Sequence, residues 1–116
     1  MRDMIIHQMK LAKEPFEKIA SGQKIIESRL FDEKRRVIDI GDEIEFSRND
    51  NPAETVKTKV KALYRYDSFE SLFSDFPPKY FGGVSSEFLL EEIGRFYPKE
   101  DQEKYGVVGI KIELRK

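Results

Sequence analysis

The stretch Gly22-Gln-Lys-Ile-Ile-Glu-Ser-Arg29 decides how this chain is interpreted, because it sets three charged side chains among apolar neighbours in a predicted strand. An ordinary half-buried strand alternates apolar and polar residues. This one gathers Lys24, Glu27 and Arg29 directly after a predicted helix. Charges beside a core are costly unless they pair or meet a ligand. The stretch is therefore the first candidate for a functional site.

Length and composition predict a single domain over residues 1–116. The chain has 37% charged residues, but its nine Phe and five Tyr residues supply enough bulky apolar surface for a core. The formal net charge of -1 excludes the global basicity that is typical of nonspecific nucleic-acid binders. A local basic site is still compatible with this charge.

Rare residue types narrow the classes of function further. The chain has no cysteine, which excludes disulfides and thiolate chemistry and suits a reducing compartment. His7 is the single histidine, so we expect no metal site and no cofactor. The sequence contains no signal-like segment and no apolar span of about 20 residues, which predicts a cytoplasmic protein without a membrane anchor.

Apolar periodicity and turn residues predict the order β-α-β-β-β-α-α-β, an α+β domain around a small, closed or nearly closed sheet. The predicted elements are a strand over 4–11, a helix from Pro15 to a glycine cap at Gly22, a strand over 23–30, a loop over 31–36, strands around 44–46 and over 55–66, a helical turn over 69–76, a helix from Ser85 to Pro98, a polar turn and a strand over 108–114.

The same patterns predict which side chains face the core. The predicted inward residues include Ile5, His7, Met9 and Leu11; Phe16, Ile19 and Ala20; Val56, Val60, Ala62, Tyr64 and Tyr66; and Leu89, Ile93 and Phe96.

The opposite face of the strand over 55–66 is basic. Lys57, Lys59, Lys61 and Arg65 all fall on that face if the strand is regular. One interpretation is an electrostatic track for nucleic acid. The other is a solvated or edge strand that lysines protect from aggregation. The sequence does not separate the two.

The motif and its flanks resemble the ASCH domain family of the PUA-like superfamily, whose hallmark is Gly-x-Lys-x-x-Glu-x-Arg. Here Gly22, Lys24, Glu27 and Arg29 complete the hallmark. The family-like flanks are His7-Gln-Met9, Pro15-Phe16 and the Gly41-Asp42 turn. The resemblance implies a pseudo-β-barrel of about five to six mixed strands with helices covering its openings. It also implies a cleft near the hallmark strand, for which RNA or nucleotide-like ligands are expected.

One branch of small bacterial ASCH proteins looks like amidohydrolases that deacetylate N4-acetylcytidine. That branch uses the hallmark Lys, a Thr at the position that Glu27 holds here, and a Glu ahead of the late helix. In this chain only Lys24 matches, because the stretch Tyr80–Gly83 offers no carboxylate. The resemblance therefore does not carry this activity over, and no motif here transfers the ribonuclease activity described for other members.

The three hallmark charges have a ligand interpretation and a structural one. Glu27 and Arg29 share a strand face, whereas Lys24 reaches it only from a turn or through a bulge. Near one another, the three could bind a phosphate or a base edge. Arg29 offers a planar fork of N–H donors, Lys24 offers a point charge, and Glu27 offers an acceptor for an exocyclic amine. Alternatively, Glu27 pairs with the two cations only to hold the barrel mouth together.

Three further residues are predicted to contact a ligand. His7 is a candidate hydrogen-bonding residue from the neighbouring strand, although its place beside Met9 equally fits a satisfied core histidine. Arg35 belongs to the charged run after the motif and is a candidate phosphate clamp or part of a solvated loop. Tyr64 is a candidate stacking residue or a core aromatic.

The sequence favours a binding module that recognises RNA or a small nucleotide-like ligand through the hallmark residues. The alternative is a small nucleoside hydrolase or ribonuclease that uses the same cleft. In that alternative Glu27 or Lys24 activates water and Arg29 stabilises the developing oxyanion.

Overall fold

The computed structural model describes residues 3–115 and contains five strands, five α-helices and one short 3-10 helix among them. In chain order these are β1 (Ile6–Leu11), α1 (Lys13–Ala20), β2 (Ile26–Leu30), α2 (Glu33–Arg36), β3 (Glu43–Arg48), β4 (Thr55–Tyr66), α3 (Phe69–Ser74), the 3-10 helix (Pro78–Phe81), α4 (Ser86–Gly94), α5 (Lys99–Tyr105) and β5 (Val107–Leu114). None of these helices is long and apolar enough to cross a membrane.

The five strands form one mixed sheet in the order β1-β3-β4-β5-β2. β1 runs parallel to β3, and the other neighbouring pairs are antiparallel. The sheet curls into a half-barrel whose edge strands approach each other. Across this seam the Arg29 guanidinium on β2 donates a hydrogen bond to the Lys10 carbonyl on β1, at 3.1 Å. The predicted α+β fold with a mixed, nearly closed sheet is confirmed.

Two hydrophobic cores lie on the two faces of the sheet. The inner core fills the half-barrel, and α1 closes it with Phe16 and Ile19. The outer core lies between the sheet and the later helices, and Ile26, Phe69 and Leu72 are among its fully buried members. Because both faces of β5 are covered at its start, Val107 and Val108 are consecutive apolar residues, the first in the outer core and the second in the inner core.

A β-bulge in β4 corrects the predicted faces of that strand. Val60 pairs with Ile112 and Ala62 pairs with Lys111, so Lys61 is the extra residue. The bulge switches the inward face from Val60 to Leu63, which packs on the inner core. Tyr64 and Tyr66 consequently face the outer core, on the opposite side of the sheet from Val60.

The predicted helix boundaries and faces also need corrections. Residues 33–36 form the short helix α2 and not a loop, because the Asp32 side chain accepts from the Arg35 backbone N–H and caps it. The predicted polar turn before Gly106 is the helix α5. Three predicted core residues are exposed: Ile5 before the start of β1, Ala20 at the end of α1, and Phe96, which is 70% exposed because α4 ends before it at Gly94.

Candidate functional site

The local chain path brings the hallmark charges together. Helix α1 ends at Ala20, and Gly22 adopts φ +83°, a left-handed conformation that glycine reaches without steric cost and that reverses the chain. The Lys24 backbone N–H then donates to the Lys18 carbonyl at 3.0 Å, and the Ile25 N–H donates to the Tyr80 carbonyl at 2.9 Å. Lys24 therefore lies in a fixed turn immediately before β2.

Lys24, Glu27 and Arg29 form a buried charged triad. Lys24 Nζ lies 2.7 Å from Glu27 Oε1, and Arg29 Nε lies 2.7 Å from Glu27 Oε2. The Glu27 side chain is only 4% exposed, and each cationic side chain is 13% exposed. Both carboxylate oxygens are thus occupied, and the triad as a whole carries one excess positive charge.

The triad holds Glu27 in its ionised form. Burial alone raises the pKa of Glu27. The Lys24 ammonium and the Arg29 guanidinium together lower it by more than burial raises it, so that the pKa is about 2. Burial lowers the pKa of Arg29, and the facing Glu27 and Tyr97 groups raise it above its ordinary value. Glu27 and Arg29 therefore keep their charges over the physiological pH range.

A cavity of about 410 Å³ opens beside the triad at the seam between β1 and β2. Its walls come from the end of β1, from α1, from the segment after the 3-10 helix and from α4. Besides the triad, the charged and aromatic side chains on these walls include Lys10, Glu14, Lys18, Phe88, Glu92 and Phe96. Among the lining residues, four cationic side chains face three carboxylates, so the cavity favours an anionic ligand.

Five aromatic side chains line this cavity, none of them predicted as a site residue, and two of the five are exposed. Phe88 on α4 is 40% exposed and Phe96 is 70% exposed, and both line the cavity. The helical spacing of Phe96 from Leu89 and Ile93 indicated the core instead. The position at which α4 ends, together with the packing of α4 against α3 and the 3-10 helix, brings Phe96 to the cavity.

The structure places His7 away from the cavity, in a network around Asp42. His7 Nε2 lies 2.8 Å from Asp42 Oδ2. The same buried carboxylate accepts from the backbone N–H groups of Ile5 and Asp39 at 3.3 and 3.0 Å. This network ties the start of β1 to the turn before β3, which is the geometry of a satisfied structural histidine.

Arg35 and Tyr64 also lie outside the cavity lining. Arg35 Nη1 donates to Asp32 Oδ2 at 2.9 Å within α2, so the guanidinium stabilises that short helix. The Tyr64 ring packs against Phe76 with a centroid separation of 4.7 Å, in the outer core. The bulge accounts for Tyr64, because it aims this side chain toward α3.

The model of the ASCH domain family matches residues 9–116, and these residues include the complete hallmark. This chain belongs to the ASCH domain family. The comparison with curated proteins gives no significant match.

Solved structures resemble this ASCH domain over nearly its whole length. The hypothetical protein PH0355 is 37% identical with a TM-score of 0.85, covering 96% of this chain and 100% of its own. Protein PF0455 from Pyrococcus furiosus is 35% identical with a TM-score of 0.74, covering 97% and 99%. The ASCH protein from Zymomonas mobilis, at 16% identity and a TM-score of 0.59, shares the fold and covers 98% of this chain and 69% of its own.

Part of the basic face of β4 lies opposite acidic residues. We call its four residues, Lys57, Lys59, Lys61 and Arg65, the lysine ladder. Lys57 pairs with Glu45 in the register of β3 and β4, and Lys59 lies between Glu43 on β3 and Glu113 on β5. Opposite charges across neighbouring strands stabilise a sheet and neutralise each other's field. Arg65 leaves the ladder after the bulge and lies over the Phe31 ring at 4.1 Å. The ladder therefore fits cross-strand pairing better than a nucleic-acid track.

A second hollow of this ASCH domain, of about 730 Å³, lies on the other side of the Gly22 turn. Lys24, Lys61, Lys111, Arg115 and Glu113 border it, together with apolar residues such as Ile19 and Leu114, and no aromatic side chain of the described residues lines it. Glu27 and Arg29 do not line it. Over residues 3–115 no group of three or more His, Asp or Glu side chains is arranged to hold a metal ion. Because the cavity beside the triad holds all three hallmark charges and is lined by aromatic rings, it is the candidate site.

Proposed function

We propose that this ASCH domain binds RNA or a small nucleotide-like ligand in the cavity lined by Lys24, Glu27 and Arg29. The observation that carries the proposal is a buried triad with one excess positive charge beside a cavity of about 410 Å³. Cavities of this size with a few convergent polar groups are the usual form of small-ligand sites. An ion pair that served only the fold would not need an open cavity beside it.

The triad retains hydrogen-bond donors for such a ligand. A lysine ammonium has three N–H donors and an arginine guanidinium has five. Glu27 takes one donor from each cation, the Lys10 carbonyl takes one more from Arg29, and Tyr97 also hydrogen-bonds Arg29. The remaining donors suit phosphate oxygens or the acceptor edge of a base, both of which form strong charge-assisted hydrogen bonds.

The hydrolase alternative has less support from the triad. A general base works best when its pKa is near the working pH, whereas the pKa of Glu27 is about 2. Lys24 Nζ is held against Glu27 Oε1 at 2.7 Å, so this amine is engaged in an ion pair and not free to attack a substrate. We therefore expect no release of cytidine from N4-acetylcytidine above the level of a Glu27→Gln control.

The absence of cysteine still favours a cytoplasmic location.

Calorimetry with the four nucleoside monophosphates and short single-stranded RNAs tests the proposal. We expect at least one of these ligands to bind the wild-type protein and to raise its thermal midpoint. Arg29→Ala should weaken that binding at least about tenfold, since charge-assisted hydrogen bonds contribute ~1.5–3 kcal/mol. Arg29→Lys keeps the charge but loses the planar fork, and should bind with intermediate affinity.

Arg48→Ala is the matched control. The Arg48 side chain is 15% exposed and pairs with Asp50 and Glu54, but it does not line the cavity. It should reproduce any general effect of removing a paired arginine without changing ligand affinity. The proposal is wrong if no ligand of the panel binds the wild-type protein, or if a folded Arg29→Ala variant binds as tightly as the wild type.

A further inference from the structure

We propose that Phe96, supported by Phe88, is a stacking residue that makes this cavity specific for an unpaired nucleotide. This inference rests on the proposed function and deepens it. The chemistry it assigns is that of one nucleoside monophosphate unit, with its base against the aromatic wall and its phosphate near Lys24 and Arg29. Such a unit comes either from a free nucleotide or from a single-stranded RNA.

The exposure of these rings is the first argument. Helix α4 already has a core-facing side, with Leu89 buried and Ile93 half-buried in the outer core. Phe88 and Phe96 lie off that side, at 40% and 70% exposure, and line the same cavity. Paired exposed aromatics at a cavity mark a contact surface, whereas single exposed apolar residues are common and need no explanation.

The division of the cavity into two kinds of wall is the second argument. β2 and the turn before it contribute the cationic hydrogen-bond donors, whereas α4 and the turn after it contribute the exposed rings of Phe88 and Phe96, together with the Glu92 carboxylate. A nucleotide has the same division, because its phosphate is an anion and its base has a π-face. A ligand with only one of these parts would use only one wall.

The position of the rings argues for an unpaired base. In a duplex both faces of each base are already covered by neighbouring base pairs, so a protein ring reaches a base face only after unstacking it. Aromatic stacking is therefore typical of single-stranded recognition, and it tolerates different bases because every base has a π-face. We expect discrimination between single strand and duplex to be stronger than discrimination between bases.

Calorimetry with adenosine monophosphate and ribose 5-phosphate separates the two walls. The wild-type protein should bind adenosine monophosphate more tightly than ribose 5-phosphate, which lacks a base. Phe96→Ala should weaken the affinity for adenosine monophosphate roughly 5- to 150-fold, the usual range for loss of one stacked ring. It should leave the affinity for ribose 5-phosphate unchanged. Phe96→Leu should behave like Phe96→Ala, and Phe96→Tyr should restore binding.

Val84→Ala is the control for loss of an exposed apolar side chain near α4, since Val84 is 89% exposed and does not line the cavity. It should bind both ligands like the wild type.

A short single-stranded RNA and its duplex identify the source of the nucleotide. If RNA is the source, the single strand binds more tightly than adenosine monophosphate and Phe96→Ala removes that gain.

The failures of the two proposals differ. If adenosine monophosphate and ribose 5-phosphate bind the wild type equally, or if Phe96→Ala does not change nucleotide affinity, the stacking role is wrong and the nucleotide site stands. If no nucleotide, RNA or ribose 5-phosphate binds the wild type, both proposals are wrong. Equal binding of single strand and duplex would also overturn the stacking role.

Discussion

At the scale of single residues, Glu27 is the side chain on which both the stability and the charge of the site depend. It is buried, yet both of its oxygens accept from cations at 2.7 Å. Removing one member of a buried pair leaves an uncompensated charge, which costs more than the pair itself contributes. Variants of Glu27 are therefore stability variants first, and ligand affinity has to be measured on the cations or on the aromatic wall.

Glu27 should make the stability of the protein depend on acid pH. Its pKa is about 2 in the folded chain and 4.5 as the ordinary value, so the folded state favours the ionised form. This contribution is fully present above about pH 4.5 and is lost as the pH falls toward 2; at neutral pH it amounts to ~3 kcal/mol. Urea unfolding of the wild type at a series of pH values should show this loss.

Glu27→Gln is the comparison for that measurement. At pH 7 it should be less stable than the wild type by ~3–5 kcal/mol, because two buried cations lose their counter-charge. The difference should shrink as the pH falls from about 4.5 to about 2. Curves for the two proteins that stay parallel over this range would contradict the assignment.

His7 should be a stability residue and not a ligand residue. His7→Ala removes one hydrogen bond to Asp42, which keeps its backbone donors from Ile5 and Asp39. We expect a loss of ~1–3 kcal/mol in the free energy of unfolding, measured with urea, and no change in nucleotide affinity. A variant with unchanged stability and weakened ligand binding would instead support the ligand role predicted from sequence.

At the scale of elements, the sequence predicted the strands well because apolar alternation and turn residues are local signals. β4 has the predicted bounds 55–66, and Ile44 and Phe46 on β3 are fully buried as predicted. The bulge escaped prediction for a physical reason. Beyond Lys61 both faces of β4 are covered, because Leu63 packs on the inner core and Tyr64 on the outer core. Both residues are apolar, so the alternation of apolar and polar residues does not show where the inward face switches.

The candidate site was predictable only where it is local in sequence. Lys24, Glu27 and Arg29 lie within one short stretch, and the structure brings them together. Phe88 and Phe96 belong to a segment about 60 residues later, as the printed sequence shows. Their place at the cavity depends on how α4 packs against α3 and the 3-10 helix, and no local spacing encodes that long-range contact.

Deleting Lys61 should be tolerated. Without this residue Val60 still faces Ile112, Ala62 still faces Lys111, and the strand alternates regularly. Only the extra local twist of the bulge is lost. We expect the variant to unfold cooperatively with a loss of less than ~2 kcal/mol, a modest value for a single change, as measured by urea denaturation.

Deleting Lys59 is the control of equal length. If β4 then becomes regular, Lys61 takes the position opposite Ile112 and places an ammonium in the inner core. An unpaired buried charge is among the most destabilising changes, so this variant should lose at least twice as much stability or fail to fold. Equal losses in the two deletions would show that the bulge does not set the faces of β4.

At the scale of the whole molecule, the charges are close to balance and excess positive charge is local. The chain has a formal net charge of -1, and Lys57 and Lys59 of β4 lie opposite glutamates. Of the two cavities described above, the one beside the triad combines an excess of cations with room for a ligand and an aromatic wall. Such a molecule is suited to one or two phosphate contacts and not to a long electrostatic footprint.

The affinity for a short single-stranded RNA should therefore depend weakly on salt. Between about 50 and 200 mM salt, a plot of log affinity against log salt concentration should have a slope of about -1, as for one or two neutralised phosphates. Fluorescence anisotropy with a labelled RNA measures it. A slope steeper than about -4 would mean that the lysines of β4 also contact the RNA.

The hydrogen bond from Arg29 to Lys10 across the seam has a consequence for how specificity can evolve in such a protein. Arg29 ties the two edge strands together, so a change there alters closure of the half-barrel as well as recognition. Phe88 and Phe96 do not link structural elements in this way, because much of each ring is already in solvent. Relatives with new ligand preferences should accordingly differ first along α4 and the turn after it, while the hallmark arginine stays constant.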